Sequence, residues 1–237
     1  MRACAACSPR PPLTGSVPQS PTNQRTDFSA YPPGAWLDLY GPQASPGGSN
    51  RTKAAPPFYR RIRITARGAS TGGKYMEMEE VCGPRVPGTK RGRSCSPLPH
   101  LHPHQSERFT VVRGSLGYSV GDAHFGPLGP GESATVPPGA AHYFYNDNNA
   151  TELAIRVRLS PALTSDVLFE NLAGLARDAG RIEDVNPLHL LLLTYAHGVV
   201  PAAVPAAVSP YLKIVVQAVG ALIGLRAEYP EYTTKSA

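Results

Sequence analysis

Two short stretches of this chain carry the residue types and spacings that can hold a metal ion. In the first, 99–114, His100 and His102 stand two residues apart. In an extended segment, residues two apart project on the same face, so both imidazoles can reach one ion. Pro103 bends the chain, and Glu107 opens the next strand, in phase with Phe109 and Val111. A carboxylate at the head of an apolar face is costly unless its charge is compensated, and a metal ion would do that. In the second stretch, 131–146, Gly131 permits a tight turn. Pro137 and Gly139 build a second turn that aims the following strand inward. His142 starts that strand and would be the third imidazole.

These spacings resemble the two cupin motifs. His100, His102, Glu107 and Gly114 fall on the first motif, and Gly131, Pro137, Gly139, His142 and Asn146 on the second. The gap between the motifs, about 16 residues, is also as in that family. The chain resembles a single-domain cupin over about residues 60–160. One departure is Ser94, where the family often has glycine six residues before the first histidine; Gly92 is nearby.

The resemblance implies His100, His102, Glu107 and His142 as metal ligands, with the remaining positions open to water or substrate. It does not choose among Fe(II), Mn(II), Ni(II) and Zn(II), although Fe(II) is favoured if the protein is an oxygenase. A closed structural zinc site would more often use cysteine. A pair formed by His102 and His104 leaves only two residues before Glu107 and breaks the family spacing, so His104 is placed at the rim of the pocket. His124 lies in a Gly-rich turn and is expected exposed. His189 and His197, on an apolar helix, are expected as core or interface histidines.

By resemblance, the function expected is a metal-dependent, dioxygenase-like oxidoreductase acting on a small organic substrate. Glu107 is the candidate catalytic residue, as ligand, base or both. Phe109, Val111, Leu116, Tyr118, Val136 and Phe144 are candidates for an apolar pocket wall. Lyase or isomerase chemistry, with the metal as Lewis acid or activator of water, is an alternative. A non-catalytic ligand-binding or storage protein is another, since fold does not fix function.

The elements that must position these residues are short strands. From Phe58 the pattern has period two, with Ile62, Ile64 and Ala66 on one face and Arg61, Arg63 and Thr65 on the other. Tyr75 to Val81 reads as a second strand, with Met76 and Met78 opposite Glu77 and Glu79. Further strands are expected at about 107–113, 115–120, 133–137, 142–146 and 152–159, most of them separated by Gly, Pro, Asn or Asp. Residues 83–99 read as a basic Pro/Gly loop. The fold class expected is therefore mainly β: an antiparallel, jelly-roll-like barrel over 58–160.

Three helices are expected in an extension over 161–237. The first runs from Asp166 to Ala179, with an apolar stripe of Val167, Leu168, Leu172 and Leu175, and is closed by Gly180. The second starts at Asn186-Pro187 and the third at Ser209-Pro210, each read as an N-cap followed by proline. The last two are very apolar. Lys213 and Arg226 bracket only twelve residues, too few for a span that needs about 20. Packing on the barrel or in a homodimer is expected, with contact to a membrane surface through 187–226 as the other reading.

Residues 1–57 hold eleven of the 26 prolines and are expected to be a disordered tail, with Ala35–Tyr40 docking as a short strand or turn. The absence of acidic residues before Asp27 is compatible with an organelle transit peptide. The location expected is intracellular, in the cytoplasm or an organelle. The net charge of +6 comes from scattered residues, including Arg60, Arg61 and Arg63, which read as a solvated face and not as a nucleic-acid surface. The four cysteines, Cys4, Cys7, Cys82 and Cys95, are too few and too irregular to predict a disulfide framework.

Overall fold

The computed structural model describes residues 34–39, 59–85, 95 and 98–234. The expected tail and transit segment fall outside the described residues except for 34–39, as do Cys4, Cys7, Gly92 and Ser94.

Eleven strands and three helices follow one another in the described chain. They are β1 (Leu37–Asp38), β2 (Arg60–Ala66), β3 (Met76–Cys82), β4 (His100–Leu101), β5 (Ser106–Arg113), β6 (Leu116–Val120) and β7 (Ala123–Leu128). Then come β8 (Ser133–Val136), β9 (His142–Asn146), β10 (Leu153–Ser160), α1 (Ser165–Ala179), α2 (Pro187–Ala196), β11 (Val200–Pro201) and α3 (Ser209–Leu222). The strands form two antiparallel sheets, in the orders β1-β2-β3-β10-β5-β8 and β11-β4-β9-β6-β7. Strands distant in sequence are neighbours in both sheets, as in a jelly roll.

Alternation fills the space between the sheets. Phe109 and Val111 of β5, Ile155, Val157 and Leu159 of β10, and Met76 and Met78 of β3 are buried. Leu116 and Phe144 close the core from the other sheet. On the outer face Arg158 reaches Glu77 at 2.7 Å, so the charged half of the pattern forms cross-strand pairs. At Gly114, between β5 and β6, φ is +92° and an added Cβ would meet the Glu152 carbonyl at 2.5 Å. Only glycine fits that turn.

Several expectations need correction. Arg60 does not belong to a solvated basic face. It shares the phase of Ile62 and Ile64, turns inward, and forks the fully buried Glu80 with contacts of 2.7 and 3.1 Å. Arg61 and Arg63 do face outward, but the Trp36 ring covers them, with the guanidinium carbons 4.8 and 4.9 Å from its centroid. Trp36 is carried there by β1, which pairs Leu37 with Ile62. Cys82 and Cys95 form a disulfide, because the fold brings their Cα atoms to 5.4 Å across a separation of 13 residues. His124 lies on strand β7, not in a turn, and is exposed as expected.

Of the three helices, α2 alone starts on a side-chain cap. Asn186 caps α2, its side chain accepting from the Leu188 amide at 2.9 Å, with Pro187 next. At α3 the expected cap fails: Ser209 is already helical, Val208 holds the cap position, and no side chain caps it. The ring of Tyr232 lies on Gly174 of α1 so closely that an added Cβ would meet it at 2.3 Å. Helix α3 buries only Val216 and Gly220, and Gly220 lets Leu192 of α2 approach. No helix among the described residues is long and apolar enough to cross a membrane.

Candidate metal centre

Two adjacent strands of the second sheet bring the imidazoles together. β4 is two residues long, yet its pairing sets His100 directly opposite His142 of β9. Their ring centroids are 4.7 Å apart. His102 follows β4, and its carbonyl accepts from the Gly139 amide at 2.9 Å. The Pro137–Gly139 turn therefore fixes the segment of one histidine and delivers another, with Gly139 at φ +77°. Glu107 comes from the opposite sheet, in phase with Phe109 on β5, and reaches across the barrel interior.

The ligand atoms of His100, His102, Glu107 and His142 all lie within 4.8 Å of one another. Glu107 Oε2 is 2.7 Å from His142 Nε2, 3.1 Å from His102 Nε2 and 4.0 Å from His100 Nε2. Two of the rings are oriented by backbone carbonyls. His100 Nδ1–H donates to Leu98 O and His142 Nδ1–H to Ala140 O, both at 2.9 Å. A carbonyl can only accept, so the proton belongs on Nδ1 and Nε2 is the atom left for a ligand role.

The charge balance fits a cation. Among the described residues no lysine or arginine pairs with Glu107; its neighbours are histidines. Burial works against its ionisation, but hydrogen bonds and charge from His102 and His142 outweigh that and hold its carboxyl well below the usual range. Burial, aided by the neighbouring imidazoles, pushes His100 down to about 4 against the pull of Glu107. For His142 burial lowers the pKa, but the hydrogen bond and charge of Glu107 reverse it and raise the net value. Three imidazole nitrogens and one anionic oxygen, converging in a largely buried cluster, are a donor set for a divalent transition metal.

The site is closed on most sides. The His102, Glu107 and His142 side chains are 5%, 6% and 2% exposed, whereas His100 is 17% exposed and marks the open side. Phe109 and Phe144 wall the interior next to it, with ring centroids 5.0 Å apart. Tyr118 stacks on Phe125 at 5.2 Å. Asn146, at the end of the second motif, is fully buried and does not join the cluster. It ties down the next loop, donating to Gly83 O and Thr151 O and accepting from the Asn148 amide.

Of the histidines outside the cluster, His104 is exposed and His189 and His197 are buried in the helical part. Sequence reasoning missed Gln105. Its buried amide donates to Pro161 O, Ala162 O and Ser165 Oγ at 2.7–3.1 Å, locking the segment between His102 and Glu107 to the start of α1. The pattern offered no signal for this, because the three acceptors are more than fifty residues away. It also missed the pairing of β4 with β11, two residues each.

Comparison with known proteins matches residues 89–156 to the model of the cupin domain. A curated relative, Oxidoreductase OpS7 of Beauveria bassiana (strain ARSEF 2860), is 34% identical over 76 residues. That match covers 32% of this chain and 25% of the relative, so the chain spans about a quarter of its length. Among solved structures, KdgF from Halomonas sp. is 18% identical with a TM-score of 0.34, covering 43% of this chain and 78% of that one. A sugar phosphate isomerase of the cupin superfamily from Silicibacter pomeroyi is 21% identical with a TM-score of 0.34, covering 44% and 60%.

Proposed function

From a chain that carries a cupin domain over residues 89–156, we propose a mononuclear metal-dependent oxidoreductase, dioxygenase-like, acting on a small organic substrate. The observation that carries this reading is the convergence of His100, His102, Glu107 and His142 within 4.8 Å around a buried carboxylate that has no lysine or arginine partner among the described residues. The name of the Beauveria bassiana relative supports the oxidoreductase class.

A redox-active divalent ion bound there, Fe(II) by preference, would supply an electron couple and open coordination positions. The remaining work falls to the chain. His100 and His142 present Nε2 in fixed directions because their Nδ1 protons are held by Leu98 O and Ala140 O. Glu107 balances charge as the anionic member of the donor set, its Oε2 lying 2.7 Å from His142 Nε2 and 3.1 Å from His102 Nε2. Phe109, Phe144 and Tyr118 give the substrate an apolar wall and exclude water from the carboxylate.

The test is oxygen uptake by iron-loaded protein over a panel of small organic substrates, with Glu107→Gln as the control. Substrate-dependent uptake that falls by about a hundredfold or more in the variant is expected. Turnover with zinc and no oxygen demand would move the protein to lyase or isomerase chemistry. Tight ligand binding without turnover would make it a binding protein.

A further inference from the structure

Of the four clustered side chains, His100 is the least firmly held. Its strand β4 has two residues, of which only His100 pairs with β9. It is the ligand furthest from Glu107 Oε2, at 4.0 Å, and the most exposed of the four. The direction of its ring rests on Leu98, whose carbonyl accepts the Nδ1 proton at 2.9 Å. Leu98 and Pro99 are themselves exposed, and the Ala202 amide donates to Pro99 O at 2.9 Å. A carbonyl on an exposed stretch orients a ring only if something holds the stretch.

Three residues before Leu98 stands Cys95, which is buried and bonded to Cys82. Cys82 is a firm anchor. It ends β3, is fully buried, and pairs with Arg60 of β2 on one side and Leu153 of β10 on the other. The next residue, Gly83, donates its amide to Tyr59 O at 2.9 Å and accepts from Asn146 Nδ2 at 3.0 Å. Reach then matters. Along β10, Cys82 is level with Leu153 and Glu107 with Leu159, six residues further on, or about 20 Å at the rise of a strand. The bridge separates its Cα atoms by 5.4 Å, and the five residue steps from Cys95 to His100 span at most about 17 Å. Bridge and steps together are comparable to the run between the two ends of the barrel. With the disulfide closed, Leu98 and His100 have little freedom to swing away from the site.

We propose, on the metal reading of the four-residue cluster, that the Cys82–Cys95 disulfide is a positioning element for His100, so that metal affinity depends on the redox state of this bridge. A dithiol opens it: the S–S bond breaks, two thiols form with two electrons and two protons from the reductant, and the dithiol closes to its own cyclic disulfide. Leu98 is then released and the His100 ring loses its fixed direction. His102, Glu107 and His142 keep their holds through Gly139, β5 and Ala140.

The test is the Co(II) affinity of the full chain, measured by competition with a chromophoric chelator. Cys4→Ser/Cys7→Ser serves as background, so that only the bridge cysteines answer to thiol reagents. Oxidised protein is compared with protein reduced by dithiothreitol and then freed of it under nitrogen, and with Cys82→Ala/Cys95→Ala. Opening by either route is expected to weaken Co(II) binding by about tenfold and to alter its visible absorption. In a His100→Ala background the same opening should change affinity by less than about twofold, because the ring through which the bridge acts is gone. Equal affinity in open and closed forms overturns the proposal. So does a loss in His100→Ala as large as in wild type, which would make the bridge a general brace of the barrel. Thiol titration that finds both cysteines free in untreated protein overturns it as well. Should Cys82→Ala/Cys95→Ala unfold, reduced wild type kept cold carries the comparison, and unfolding of both forms assigns the bridge to stability alone. Oxidised protein that takes up no Co(II) refutes the metal reading and the bridge's role with it, whereas Co(II) bound equally by all forms refutes only the bridge's role.

Discussion

At the residue scale, the site depends on a carboxylate and three rings that restrain one another. Glu107 is stable as an anion only because His102 and His142 donate to it or carry positive charge beside it. Replacing it with Gln keeps the shape and removes the charge; metal affinity should drop about a hundredfold, read by competition with a chromophoric chelator. A different buried pair should respond differently. Arg60→Met leaves the carboxylate of Glu80 inside the barrel without its fork and should cost about 3–5 kcal/mol in denaturant unfolding. The double change to Met at both positions should be much milder, because the buried charge goes as well. The clustering of His100, His102, Glu107 and His142 was legible in the sequence because a period of two places His100 with His102, and Glu107 with Phe109, on common faces. The same rule applied to Arg60 would have placed it with Ile62 and Ile64. Grouping it with Arg61 and Arg63 by charge hid that phase. The disulfide was not legible at all, since nothing local to Cys82 or Cys95 encodes a Cα separation of 5.4 Å.

At the element scale, strands with a clear inside and outside were readable and the others were not. β5 and β10 alternate between buried and exposed positions, whereas β7 is exposed along nearly its whole length and contains Gly126 and Pro127. β4 and β11 are too short to carry any period; they exist because each finds a partner. In the helical part, two histidines make stability sensitive to acid. Burial lowers the pKa of His189 and of His197, in the latter against the pull of Glu228. Their neutral forms are favoured in the folded state, so this stabilisation is complete above the ordinary imidazole value of 6.5 and is lost as pH falls below it. The melting temperature should therefore decline on acidification through that region. The decline should be shallower in His197→Asn, even though that variant loses the 2.7 Å contact with Thr164.

At the scale of the whole molecule, one disulfide and one buried glutamine tie distant parts of the chain together. The link between Cys82 and Cys95 closes the loop that leads into His100, and Cys95→Ser should lower stability by about 3 kcal/mol for a loop of this size. Gln105 joins barrel to helices, and its loss to Ala should cost about 1–3 kcal/mol and loosen the start of α1, visible as faster amide exchange there. The measurement that bears most directly on the account is elemental analysis of the purified protein beside His102→Ala and His142→Ala. The account predicts near-stoichiometric transition metal in wild type and its loss in both variants, with the barrel still folded. Wild type that holds no metal, and that gains no thermal stability from added iron, manganese, nickel or zinc, would contradict it.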